Sequence, residues 1–293
     1  MSDLAALTAL SSALSSAVAA ATPAIVSVHS HRSRATGFVW KPGLIVTADE
    51  ALADEGEIGL AFADGTTRPA SIAGRDHTTD IALLRVGGDG LPTTAAPATF
   101  TTAQPALGSL AVIVASDRGA PTAALAMVST SGSGWRSLRG GDIDARIELD
   151  AGLRHSHEGG LVLNATGEAI GMAVRGPRRT LVIPAATLAR VVARLETHGR
   201  IARGYLGVGL QQVALDDGTG AMVMSVDKQG PAATAGLRQG DVITSVNDEP
   251  FGGVRAMLRG LGPESVGATV EIAARRSGEP VRLSLVIGER PER

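Results

Sequence analysis

The chain has 293 residues, enough for two domains with cores of their own, and its 44% hydrophobic and 19% charged residues are the balance of a folded globular protein. A net charge of -2 excludes the broad electrostatic attraction that nucleic acid or an anionic membrane surface would need, and the absence of cysteine removes disulfides, cysteine-zinc sites and thiol catalysis. Aromatic residues make up only 2%, so Ala, Val, Ile and Leu must fill the cores.

Residues 1–21 place Leu4, Leu7, Leu10, Leu14 and Val18 at helical spacing with Ser and Thr between them, which predicts a packed or self-associating helix. The only early charged side chain is Asp3, whereas an export signal carries basic residues ahead of its apolar run. A cytoplasmic protein without a membrane span is therefore expected; no later segment approaches the roughly 18 continuous apolar residues that a span needs.

From Thr22-Pro23 the pattern changes to short β-branched runs. AIVSVHS reads as a strand, HRSRATG as a polar loop ending in Gly37, and FVW, GLIVTA, IGLAFADG and ASIAG as further strands. TTDIALLRV is the clearest buried strand, entered through Asp80, and LPTTAAPATFTTAQPALG is a surface connection. LAVIVAS, TAALAMVSTS and ARIELDA continue the series around the loop GSGWRSLRGGD, and GGLVLNATGEAIGMAV folds back at Ala165-Thr166-Gly167 before TLVIP. This rhythm predicts an antiparallel barrel or sandwich. Leu188, Val191, Val192 and Leu195 then lie three and four apart between Pro184 and Gly199, a helix with a start and a stop, and GRIARG marks a domain junction. Strands resume with YLGVGLQQV, MVMSV, DVITSVN, TVEIAARR and VRLSLVIGE, and VRAMLRGL reads as a short helix.

Residue types alone point to no reaction. A hydrolase of this composition needs Ser or Thr as nucleophile, His as base and a carboxylate to orient it. His29, His31 and His198 are expected at the surface; His155 and His157 flank Ser156, but adjacent side chains in an extended segment point to opposite faces. There is no phosphate loop, zinc helix or EF-hand spacing.

Taken in order, TPAIVSV, ATGFVW, FADGTTRPASIAGRDHTTDIALLRV, ALGSLAVIVAS and RGYLGV resemble segments of the HtrA/DegP family, over about Leu10 to Gly288. The resemblance implies a mainly β chain in which a chymotrypsin-like double β-barrel is followed by a PDZ domain, itself β-rich α+β. It divides the chain into an N-terminal helix (1–21), a trypsin-like protease domain (22–183), a linker helix (184–202), the PDZ domain (203–290) and a tail (291–293). It also implies the triad positions. VTADEAL has Glu50 where the family has its histidine, TTDIALL keeps the aspartate as Asp80, and DAGLRHSHEGG has Glu158 in place of the serine. Ser156, His157 and Gly159 fall on the oxyanion turn.

Glutamate offers no activated hydroxyl and no imidazole, so proteolytic activity is not expected. Three converging carboxylates cannot all ionise cheaply, which predicts a raised pKa or a neutralising cation. Glu50, Asp80 and Glu158, with a nitrogen from His157, are the candidate metal ligands, although no resident metal or cofactor is expected. In the PDZ domain the resemblance implies that Tyr205, Leu206, Gly207 and Val208 form the carboxylate loop, with Ala256, Met257 and Leu258 as the opposite wall. The expected function is capture of C-terminal or extended peptide segments of client proteins by a protease fold that does not cleave. An endopeptidase with a rearranged site and a divalent-metal-binding regulator are the alternatives, no nucleic acid is expected, and the resemblance adds a homotrimer as the assembly.

Overall fold

The computed structural model describes residues 3–31, 33–53, 56–216 and 218–291, without the side chain of Arg255, and falls into two compact units, Met1–Arg200 and Ile201–Arg293. The tail expected over 291–293 lies largely outside the described residues. In the first unit the leading helix α1 spans Asp3–Ala21. Its Thr8 hydroxyl donates to the Leu4 carbonyl at 2.9 Å, so the polar side chain is satisfied within the helix. Of the two expected roles, packed or self-associating, the first turns do not pack within the chain: Leu4 and Leu7 are 71% and 63% exposed. The helix approaches the body of the unit through small residues such as Ala17, beside Gly167, and its first turns cover no core.

Two closed barrels follow. The first contains β1 (Ile25–Ser30), β2 (Ser33–Lys41), β3 (Leu44–Thr47), β4 (Ile58–Phe62), β5 (Thr67–Asp76) and β6 (Ile81–Val86), in the spatial order β1-β2-β3-β6-β5-β4. The second contains β7 (Leu110–Asp117), β8 (Ala120–Arg136), β9 (Asp142–Leu149), β10 (Leu161–Leu163), β11 (Ala169–Arg175) and β12 (Thr180–Pro184), in the order β10-β11-β12-β9-β8-β7. Alternation sets the faces: in β4, Ile58, Leu60 and Phe62 are buried while Gly59 and Ala61 are not. Closure leaves no open edge in either sheet. Each fully buried Leu or Ile, such as Ile45, Leu83 or Ile113, contributes roughly 1.5–3 kcal/mol. The barrels meet through Ser27, whose hydroxyl donates to that of Ser116 at 2.8 Å.

Two expected loops are shorter than their composition suggests. β2 starts at Ser33, paired with Ser30, so HRSRATG is mostly strand; His31 at φ 52 makes the reversal tight. β8 likewise runs through Gly132, Gly134 and Trp135 because β9 pairs with it out to Arg136 and Asp142. In both, a partner strand overrides the local weakness of Gly, Ser and Arg as strand formers. Helix α2 (Ala185–His198) follows Pro184, buries Leu188, Val191, Val192 and Leu195, and ends at Gly199 in the left-handed conformation.

The second unit contains β13 (Gly204–Tyr205), β14 (Val208–Leu215), β15 (Gly218–Val226), α3 (Pro231–Thr234), β16 (Val242–Val246), β17 (Glu249–Pro250), α4 (Val254–Arg259), β18 (Thr269–Arg276), β19 (Glu279–Val286) and β20 (Gly288–Glu289). The main sheet has the order β14-β15-β16-β18-β19, which leaves β14 at an edge, while β13 pairs with β20. Val223, Ile243, Ile272 and Leu285 form the centre of its own core.

Candidate functional site

The first candidate site lies in the double barrel and starts from a turn. Asp76 accepts from the Thr78 amide at 3.1 Å and from the Thr78 and Thr79 hydroxyls at 2.6 Å each, which fixes the approach to β6. Asp80 follows in the left-handed region, φ 59, a conformation aspartate tolerates. Its Oδ1 accepts the Glu50 N–H at 2.7 Å. One residue earlier, the fully buried Asp49 carboxylate takes Arg75 and His77 as partners. Asp80 is thus held in a crowded anionic setting. Burial first, then the charges of Glu50, Glu158 and Asp49, push its carboxyl up to about 7, against the opposing Glu50 amide.

Glu158 reaches the same place from the second barrel. The 3₁₀ turn His155–His157 delivers it to β10, with only 6% of its surface exposed. Its carbonyl accepts the Thr36 N–H at 2.8 Å. Gly159 must be glycine: its φ is 83, and a Cβ there would stand 2.0 Å from the Thr36 carbonyl oxygen. Glu50, Asp80 and Glu158 each bring a carboxylate oxygen within 4.8 Å of the others.

The charges meet a local answer that the sequence reading missed. Arg139, on the β8–β9 loop, pairs with Glu50 at 2.7 Å, and Arg175, at the end of β11, stands 3.5 Å from Glu158 and 3.1 Å from His155 Nδ1. Two guanidiniums and the raised pKa of Asp80 therefore offset part of the negative charge of the cluster. His157 does not join the proposed ligand set. It is 3% exposed and its Nε2 lies 3.2 Å from the Thr122 hydroxyl. Burial and then Arg154 hold the ring below its ordinary pKa, against Asp117.

The turn that would receive an oxyanion is directed inward. The amides of His157, Glu158, Gly159 and Gly160 donate to the carbonyls of Arg154, His155, Ala173 and His157, at 3.0, 3.2, 2.8 and 3.0 Å. Ser156, the remaining residue of the expected turn, has its carbonyl held by the Thr36 hydroxyl at 2.6 Å. The cluster brings together a carboxyl of raised pKa and two carboxylates that face arginines, and Glu50 and Glu158 supply neither a hydroxyl nucleophile nor an imidazole.

The second candidate site lies in the second unit. Leu206 is buried in the core and Val208 packs on it, while Tyr205 donates its hydroxyl to Asp227 at 3.0 Å. Gly207 turns the chain at φ 75, its space limited by the Gly230 Cα 3.1 Å from a hypothetical Cβ. The Gly207 carbonyl accepts from Asp227 and the Leu206 carbonyl from Ala232, whereas among the described residues the amides of Leu206 and Gly207 donate no turn or loop hydrogen bond. α4 runs beside β14. Met257 packs inward on the core, Ala256 is half-buried, and Leu258 is 60% exposed. The wall also includes Leu210, Val254 and Leu261, which no motif singled out; their signal was only the apolar alternation of β14 and the helical spacing after Gly253.

Residues 35–172 match the family model of the trypsin-like peptidase domain, and residues 204–287 match that of the PDZ domain. A probable periplasmic serine endoprotease, DegP-like, of Rhizobium meliloti is 29% identical over 279 residues, 89% of this chain and 54% of its own length. Its counterpart in Bartonella henselae is 30% identical over 294 residues, 90% of this chain and 55% of its own. The serine endoprotease of Yersinia pestis superposes with a TM-score of 0.73 at 25% identity, over 94% of this chain and 97% of that one. The chain is an HtrA/DegP-like protease homologue with a PDZ domain. Among solved structures, the HtrA-type protease AlgW with a decapeptide shares the fold, at 22% identity and a TM-score of 0.73 over 94% of this chain and 98% of that one. This HtrA/DegP-like chain spans about half the length of the curated relatives it matches.

The relatives' names correct one expectation. They are named as probable periplasmic endoproteases, which overturns the cytoplasmic placement drawn from an N-terminus without basic residues. The charge criterion weighed one missing feature against an apolar run of full length. Leu4–Ala24, 21 residues, is by length and composition apolar enough to cross a membrane.

Proposed function

We propose that this HtrA/DegP-like chain is a periplasmic protein that captures peptide segments through its PDZ domain and does not hydrolyse them. One observation carries the second half: Glu158 stands at the nucleophile position while its own N–H is bonded to the His155 carbonyl at 3.2 Å. Loss of one oxyanion donor alone lowers turnover about 100- to 1,000-fold, and here the nucleophile and the base are missing too. The open edge of β14 beside α4 supports the first half, since an extended peptide can add to it as a further strand. Digestion of casein by the full chain and by Asp80→Ala tests the reading: neither is expected to cleave, and cleavage that depends on Asp80 would replace it with an endopeptidase of rearranged site.

A further inference from the structure

Asp49 and His77 form a pair beside the carboxylate cluster, and the cluster leaves its imidazole unused. The Asp49 side chain is only 1% exposed and cannot turn, because one carboxylate oxygen takes the Arg75 Nε–H while Arg75 Nη2 donates to the Asp49 carbonyl at 3.2 Å. The other oxygen faces His77 Nδ1, and the His77 side chain is 62% exposed. A carboxylate only accepts hydrogen bonds, so in the neutral ring Nδ1 carries the proton and Nε2 keeps its lone pair. Among the described residues Nε2 has no hydrogen-bond partner. The backbone beneath the ring is fixed as well: the Ser137 hydroxyl donates to the Thr78 carbonyl at 2.6 Å and Arg139 Nη1 to the His77 carbonyl at 3.3 Å. Those bonds close the β8–β9 loop onto this turn, and the loop carries the 99% exposed Leu138.

The other histidines lack this arrangement. His157 is 3% exposed, His155 Nδ1 faces the Arg175 guanidinium, and among the described residues His29, His31 and His198 form no ion pair with a carboxylate. An imidazole with a buried carboxylate on one nitrogen and open solvent at the other is an oriented nucleophile. We propose that His77, positioned by Asp49, accepts acyl groups from small carboxylic esters with good leaving groups, such as aryl esters. Nε2 attacks the carbonyl carbon, the bond from that carbon to the aryl oxygen breaks, and the aryl oxide leaves with the electron pair and takes up the Nδ1 proton through solvent. Water then adds to the acyl carbon, the carbon–nitrogen bond breaks, the carboxylic acid departs, and the proton left by water returns to the ring. One ester and one water give one acid and one phenol. Peptide bonds lie outside this route, since the imidazole leaves more readily than an amine and the amide re-forms. The site uses neither Glu50 nor Glu158 and does not rest on the peptide-capture reading.

Release of nitrophenolate from p-nitrophenyl acetate by the full chain tests it. The rate at one mildly alkaline pH is expected to exceed that of N-acetylhistidine at equal concentration by at least about tenfold. His77→Gln, at an exposed side chain, should remove the excess, and His198→Gln, at the exposed end of α2, should keep it. Mass spectrometry after brief exposure should place the acetyl group on His77. Asp49→Asn keeps the shape without the charge; it should lower the rate at least about tenfold and, by nitrogen-15 NMR of the His77 ring, move the proton off Nδ1, which a loss of packing alone would not do. A rate no greater than that of N-acetylhistidine, an excess that survives His77→Gln, or an acetyl group on another histidine overturns the site. An excess that depends on His77 but survives Asp49→Asn with the ring proton unmoved overturns the positioning by Asp49.

Discussion

Asp80 Oδ1 accepts the Glu50 amide, and burial first, then the charges of Glu50, Glu158 and Asp49, raise its pKa. In the unfolded chain it ionises near 3.8 and in the folded chain near 7, so the folded state binds the extra proton between those values. Stability from this group is then fully present below the lower value and is lost as pH rises through the upper one. The shift corresponds to roughly 4 kcal/mol at most, since one unit is about 1.4 kcal/mol. Asp80→Asn keeps the acceptor for the Glu50 N–H and removes the titration. Its melting temperature is expected to match the parent near pH 4 and to exceed it increasingly up to pH 8, with Arg139 and Arg175 retained as partners of the flanking glutamates. A parent that grows more stable over that range would contradict the proton on Asp80. Gly159 sets the other limit at this scale. Gly159→Ala adds a methyl 2.0 Å from the Thr36 carbonyl at φ 83 and is expected to destabilise the first unit by about 3 kcal/mol or more, read from its urea midpoint.

Among the elements, the 3₁₀ turn His155–His157 and strand β11 decide what the cleft can do. Arg175 on β11 touches both the His155 ring and the Glu158 carboxylate, which ties the turn at its two ends. Introducing the histidine and serine that the family resemblance implies, by Glu50→His with Glu158→Ser, is therefore expected to leave the chain inactive on casein and unlabelled by a fluorophosphonate, because the amide at 158 still faces His155. Exchange of that amide in the parent should be slow and should accelerate on Arg175→Gln; unchanged exchange would remove Arg175 from this role. The strands that carry these residues were largely legible, because TTDIALLRV or LAVIVAS can be buried only one way in a closed sheet. The three carboxylates were legible through the segments around them, each of which keeps its flanking pattern when its central residue changes. Arg139 and Arg175 were not, since nothing local in GSGWRSLRGGD or AVRG encodes an ion pair with a glutamate far away in sequence or on another strand. The extents of β2 and β8 escaped for the same reason: strand partners, and not composition, set where they end.

At the scale of the whole molecule, residues 1–200 and 201–293 form two compact units, each with an apolar cluster of its own. The first unit draws on two barrels and α2, whereas the PDZ unit depends on one small cluster, in which Ile272 is 1% exposed and lies on β18 beside β16 and β19. A unit of that size holds only about 5–15 kcal/mol of stability, so one cavity at its centre is felt throughout it. Ile272→Ala removes buried carbons from a site closed by strands on both sides and is expected to cost about 2–5 kcal/mol. For a domain of this length that lowers the melting temperature by at least about 8 °C. Calorimetry of the full chain should resolve two transitions and show only one of them moved by Ile272→Ala, and binding of a labelled peptide should be lost at the temperature of that transition. A single transition that moves as a whole would mean that the two cores melt together.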